Sequence, residues 1–231
     1  MSPHLNLDPA ASGGAFEAYQ ALPPGEGTAP ALLLLPPIFG VELVIEGLAD
    51  RYAARGFVTL APNQFWRDAE PGIMPRTDAG RERAFARARR VDVDQIVGDV
   101  RTAVAALRAM PRCNGKVAVL GICFGGRYAF LAAARLDVQA AGAFHGTQIG
   151  LSLGDGPTVH APLSLQFGAD DPITPPEEID AIRAALAHRP DAEITVHPGS
   201  THNFSLPGVP GYDPQVAADA ERRVFDLFGG L

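Results

Sequence analysis

The chain has 231 residues, 47% of them hydrophobic and 19% charged, enough to bury a sizeable core without disulfides or a structural metal. Its 19 basic and 26 acidic side chains leave a net charge of −7, the wrong sign for a protein that holds nucleic acid through phosphates. No apolar run reaches the roughly 20 residues that span a bilayer; the longest, 29–39, is broken by Pro30, Pro36 and Pro37.

Taken in chain order, a strand is expected at 31–35, a helix at 43–55 and a strand at 57–61. A Pro/Gly-rich loop over 62–78 leads to one long helix over about 80–110, then a strand at 116–120 and a helix at 125–135. Strands at 140–144 and 163–167, a helix at 176–188, a strand at 193–197, a loop over 198–214 and a helix at 214–228 complete the list. The strands are nearly continuously apolar, as strands covered on both faces must be. Alternation of this kind implies an α/β fold, a mostly parallel central sheet with helices on both faces and right-handed crossovers. Ligands of such sheets bind at the carboxyl ends of the strands, so chemistry is expected after Leu35, Leu120, Phe144, Phe167 and His197. No repeat or linker marks a second domain, and 1–231 is expected to form one. Residues 1–9 lack the cationic start and apolar stretch of a secretory signal. With two cysteines in unrelated contexts, a reducing cytoplasm is the expected location.

The strand at 116–120 runs into Gly121-Ile122-Cys123-Phe124-Gly125-Gly126 and then a helix. That context suits a G-x-nucleophile-x-G elbow with cysteine in place of serine. A nucleophile on a sharp turn crowds its neighbours two positions either way, so Gly121 and Gly125 leave room. The competing reading makes Cys123 a buried apolar cysteine and the glycines ordinary turn residues. Cys113, in Arg112-Cys113-Asn114-Gly115, reads as structural.

A thiol needs a base and the base an orienter. Gly168-Ala169-Asp170-Asp171-Pro172 follows one strand and Gly199-Ser200-Thr201-His202-Asn203-Phe204 another, giving the order nucleophile, acid, histidine. Asp171 is favoured as orienter, with Asp170 in the turn; both could instead serve the turn or cap the next helix. Of six histidines, His4, His160 and His188 fall in termini, loops or helix ends and His197 in a strand. His202 is the expected base, and His145, after the strand 140–144, could line the site.

These motifs, with Pro37-Ile38-Phe39-Gly40-Val41, Gly115-Lys116-Val117, Phe144-His145-Gly146 and His202-Asn203-Phe204, resemble the dienelactone hydrolase family, cysteine-dependent α/β-hydrolases that open unsaturated lactones. The likeness covers nearly the whole chain. It implies Cys123 as nucleophile, His202 as base, Asp171 as acid, and the N–H groups of Phe124 and Ile38 as oxyanion donors. Pro37 has no N–H to give, which independently favours Ile38. For substrate binding the resemblance implies Arg81, with Phe85 four residues on along the same helical face; Phe39 and His145 are further lining candidates. Two departures stand out. Pro37 occupies the place of a glutamate that gates the thiol, with Glu42 a candidate replacement, and Leu206 the place of a second carboxylate-binding arginine. Arg83, Arg87 and Arg90, at helical spacing, read as a solvated stripe.

The expected chemistry is acyl transfer from a small lactone or ester through a covalent thioester, with a broader or more apolar substrate range than a complete arginine clamp allows. No metal or organic cofactor, nucleic acid, membrane or obligate protein partner is expected. Readings from other classes are a non-catalytic or redox-sensing module on the same scaffold, and a cysteine peptidase, for which no peptide-gripping feature is visible.

Overall fold

A computed structural model of the chain describes residues 3–8 and 14–231. Among the described residues eight strands form one sheet in the order β1-β2-β4-β3-β5-β6-β7-β8, and the chain divides into two compact units, 1–118 and 119–231.

The first unit holds β1 (His4–Leu7), β2 (Phe16–Ala21), β3 (Ala29–Leu35), α1 (Leu43–Ala54), β4 (Val58–Pro62), α2 (Asp78–Arg90) and α3 (Val93–Ala109). β3 and β4 pair in parallel, and Leu32 to Leu35 and Leu60 have no exposed surface. β1 and β2 were not anticipated. They form an antiparallel edge in which Leu7 faces Phe16 and Ala18 faces Pro62 of β4. β2 buries Phe16, Ala18 and Ala21 and β1 only Leu7, a pattern that suits a half-covered edge and not a central strand.

The single helix expected over 80–110 is two. Val91 is extended, and Asp92 caps α3 by accepting from the N–H groups of Asp94 and Gln95. A short carboxylate that can bond the next turn's amides favours starting a new helix over continuing the old one. Thr77 caps α2 in the same way, accepting from Gly80 N–H at 3.1 Å.

β5 (Cys113–Ile122) crosses the boundary between the units. The second unit continues with α4 (Gly125–Arg135), β6 (Ala140–Phe144), β7 (Leu163–Gly168), α5 (Pro176–Ala185), β8 (Ala192–His197) and α6 (Pro214–Phe228). A 3-10 helix at Ile149–Thr158 was not anticipated either; its glycines and Pro157 explain why no longer α-helix forms there. β6, β7 and β8 run parallel, with Phe144 opposite Gln166 and Gly168 opposite His197. That register brings the ends of β7 and β8 to one level, so the loops after them leave the sheet side by side.

Candidate active site

At the end of β5 the backbone turns sharply: Cys123 adopts φ 53°, a left-handed conformation a side chain rarely takes. The turn is fixed on both sides. Cys123 N–H donates to Phe144 O at 3.1 Å, and its carbonyl accepts from Gly126 N–H at 2.9 Å and Thr147 N–H at 3.0 Å. Gly121 is needed for close approach, since a Cβ there would lie 2.2 Å from the Gly125 carbonyl oxygen. Phe124 follows as the first helical residue of the α4 cap.

Asp171 hangs from the loop after β7. Its Oδ1 accepts from Ile173 N–H at 2.8 Å and its Oδ2 meets Nδ1 of His202 at 2.7 Å, so both oxygens are engaged and the side chain is fully enclosed. Asp170 is exposed and contributes its backbone to the turn, donating to Ser200 O at 2.9 Å. A Cβ on Gly168 would lie 2.3 Å from that same Ser200 oxygen, so the acid and histidine loops touch backbone to backbone.

The Nδ1 bond to Asp171 turns the other nitrogen of His202, Nε2, to the thiol side; a ring nitrogen of His202 and Sγ of Cys123 lie within 4.8 Å of one another. Burial disfavours the charged ring, but attraction to negative charge at Cys123, followed by the bond to Asp171, outweighs it and raises the His202 pKa to about 10. Cys123 acts on the ring first through charge and then through the close approach of its sulfur, although Nε2 makes no hydrogen bond of normal geometry to it.

His145 joins this group. It is fully buried at φ 39°, its Nε2 lies 2.9 Å from Ser205 Oγ, and its ring stands edge-on to that of His202 at 4.6 Å between centroids. Leu206, the next residue, is buried and apolar. His197 lies in a separate network: it bonds Gln166 Oε1 at 2.9 Å, and burial keeps its pKa low.

The remaining expected site residues lie in the first unit. Ile38 and Phe39 are buried in the turn after β3, where Gly40, at φ 89°, donates to Pro37 O at 3.0 Å. Arg81 and Phe85 lie exposed on α2. Glu42 is committed elsewhere, because Arg76 grips both its oxygens at 2.9 and 2.8 Å while stacking over Phe39 at 4.3 Å. Both of its oxygens already hold an arginine, so a role as replacement for the missing glutamate has no support.

Arg87 requires a correction. It does not belong to a solvated stripe but is fully buried, with Nε and Nη2 donating to Ile38 O at 3.2 and 2.7 Å and Nη1 to Glu70 O at 3.0 Å and Gly72 O at 2.6 Å. The guanidinium also lies over Phe65 at 4.0 Å, and burial lowers its pKa to about 10. A sequence signal for it exists: Gly80, Ala84 and Ala88 make the buried face of α2, and Arg87 falls beside them while Arg83 and Arg90 fall outside.

Known proteins place this geometry in context. The family model for the dienelactone hydrolase family matches residues 16–231. A provisionally named carboxymethylenebutenolidase of Azospirillum brasilense is 31% identical, the match covering 95% of each chain. The carboxymethylenebutenolidase of Pseudomonas putida is 28% identical, covering 90% of this chain and 89% of its own. Among solved structures, a provisionally named dienelactone hydrolase of Klebsiella pneumoniae superposes with a TM-score of 0.87 at 24% identity, covering 99% of this chain and 98% of that one. Fold, family match and relatives agree: the chain is an α/β hydrolase of the dienelactone hydrolase family.

Proposed function

We propose that this hydrolase cleaves a small lactone or carboxylic ester by acyl transfer to Cys123. The observation that carries the reading is the Asp171–His202 bond at 2.7 Å with the buried Cys123 sulfur within 4.8 Å of the same imidazole. In this mechanism the thiolate attacks the carbonyl carbon, and the N–H groups of Phe124 and Ile38 receive the developing oxyanion. Collapse of the intermediate expels the alkoxide, which takes its proton from the His202 imidazolium.

Acylation then changes the histidine's task. Charge at Cys123 is the largest influence raising its pKa, and a thioester carries none. The neutral ring left behind no longer faces an anion, so it can accept a proton from water as that water attacks the thioester. The acid forms, the thiolate leaves, and the imidazolium is restored. One residue thus serves as acid and then as base because its neighbour gains and loses charge.

For the substrate, Arg81 and Phe85 are assigned to the carboxylate and the flat ring, with Phe39 and His145 as further lining. Leu206 supplies no charge where the arginine clamp would be completed, and Pro37 none where the gating glutamate would stand. A polar clamp rejects the wrong ligand strongly only when its charges are complete, so uncharged esters are expected to compete well. The test is a panel of lactones and esters on the parent and Cys123→Ala, with mass spectrometry during turnover. An acyl adduct on the Cys123 peptide and loss of turnover in the variant are expected; retained turnover in Cys123→Ala would overturn the reading. A large preference for a carboxylated dienelactone over an uncharged aryl ester would defeat the substrate assignment alone.

A further inference from the structure

We propose that Cys123, His145 and His202 form a three-ligand site for a soft divalent cation, Zn²⁺ in its chemistry, whose occupation switches the thiol off. The sulfur and one ring nitrogen from each histidine lie within 4.8 Å of one another, and the three residues are 8, 0 and 9% exposed. The proposed acyl-transfer steps use Cys123 and His202 but give His145 no proton to move.

The surroundings resemble the outer shell of a metal site. Asp171 engages Nδ1 of His202, so Nε2 is the nitrogen available for coordination; Ser205 Oγ engages Nε2 of His145, so Nδ1 is the corresponding nitrogen there. Metal-binding histidines commonly have their second nitrogen fixed in this way, which sets tautomer and ring orientation. The backbones are fixed as well. The turn of Cys123 is hydrogen-bonded to Phe144 and Thr147, on either side of His145, and His145 N–H donates to Gln166 O at 2.8 Å.

A tetrahedral zinc has bonds of about 2.0 to 2.3 Å, which places its ligand atoms roughly 3.5 Å apart. Side-chain rotation of about 1 Å per ligand atom closes the three onto one ion. A thiolate with two imidazoles selects zinc over magnesium or calcium, and three protein ligands leave a fourth position to water. On binding, the sulfur donates its lone pair to the metal, and the proton of the thiol–imidazole pair passes to solvent. A sulfur so held cannot attack a carbonyl. The sequence shows no metal motif because the three ligands come from three loops more than twenty residues apart.

Cobalt(II) on the full chain is the probe. A 1:1 complex with a thiolate-to-cobalt charge-transfer band is expected, displaced by Zn²⁺ and lost on chelation with full return of the thiol titre. Cys123→Ser should lose the band, His145→Gln should weaken zinc by more than about 100-fold, and Ser205→Ala by about tenfold. Circular dichroism checks each fold; if His145→Gln is unfolded, Ser205→Ala carries the test. Cobalt bound without the band, or folded variants holding zinc as tightly as the parent, would overturn the site. The inference is separable from the esterase reading: ester turnover with no band sinks the metal site alone, whereas the band with no turnover on any ester sustains the site and sinks the esterase.

Discussion

The two units handle awkward backbone differently. In residues 14–118 every described positive-φ position is glycine: Gly25, Gly40, Gly56 and Gly115. In 119–231 four non-glycine residues take that conformation, namely Cys123, His145, Gln148 and Asn203. Two of these are in the proposed site and Asn203 adjoins His202. Such positions cost about 1 to 3 kcal/mol each and persist only where the surroundings enforce them. The second unit also uses glycine, at Gly199, Gly208 and Gly211, but accepts strain at four further positions, whereas the described positive-φ turns of the first unit are all glycine and one is braced by an arginine, as Arg87 braces Ile38.

That contrast can be attacked in several places. The largest effect is expected in the second unit: Asp171→Asn should lower kcat by about 10⁴-fold, since the amide cannot hold the imidazole as the carboxylate does. A fall of less than tenfold in steady-state hydrolysis would remove Asp171 from the mechanism. In the first unit, Arg87→Met strands the Ile38, Glu70 and Gly72 carbonyls, and about 3 to 5 kcal/mol of stability should be lost in urea unfolding. Where the variant remains folded, kcat should fall more than KM rises, because the turn carrying Ile38 loosens; an unchanged kcat would separate the arginine from catalysis.

A smaller effect measures strain directly. Cys123→Gly should be more stable than Cys123→Ala by about 1 kcal/mol, the reverse of the usual order, because φ 53° suits glycine. Gly40→Ala in the first unit should instead cost about 1 to 2 kcal/mol. Equal stabilities in the Cys123 pair would end the strain account. The last prediction is read as a slope with pH. His202 has its pKa raised from 6.5 to about 10, so its protonated form stabilises the fold fully below 6.5, and this contribution is lost as pH rises toward 10. The stability difference between the parent and His202→Gln should be flat at low pH and shrink over that window; a difference that grows with pH would have the wrong sign.

Much of this was legible in the chain. Continuous apolar runs cover the central strands because both faces are packed, and the glycines at 121, 125, 168 and 199 mark the turns from which Cys123, Asp171 and His202 project. Three features were not legible for physical reasons. β1 and β2 are short and half-exposed, so their pattern is diluted by polar positions. The break at Val91 and Asp92 depends on a side-chain cap, which interrupts helical periodicity without altering it on either side. Arg87 looks like its exposed neighbours, and only the small residues beside it on α2 betray that its face is inward. His145 is a different case: its place after β6 marks it as a lining candidate, while its approach to His202 follows from the parallel register of β6, β7 and β8.

The backbone contact between Gly168 and Ser200 has an evolutionary consequence. It ties the acid loop to the base loop, backbone to backbone, before the chain reaches Leu206. Gly211 belongs to the same arrangement, since a Cβ there would lie 2.3 Å from the His202 carbonyl oxygen, and the short stretch between is left to vary while the relay keeps its alignment. In laboratory diversification, libraries drawn across 207–209 should keep folded, active clones, whereas Gly168 and Gly211 should tolerate almost nothing.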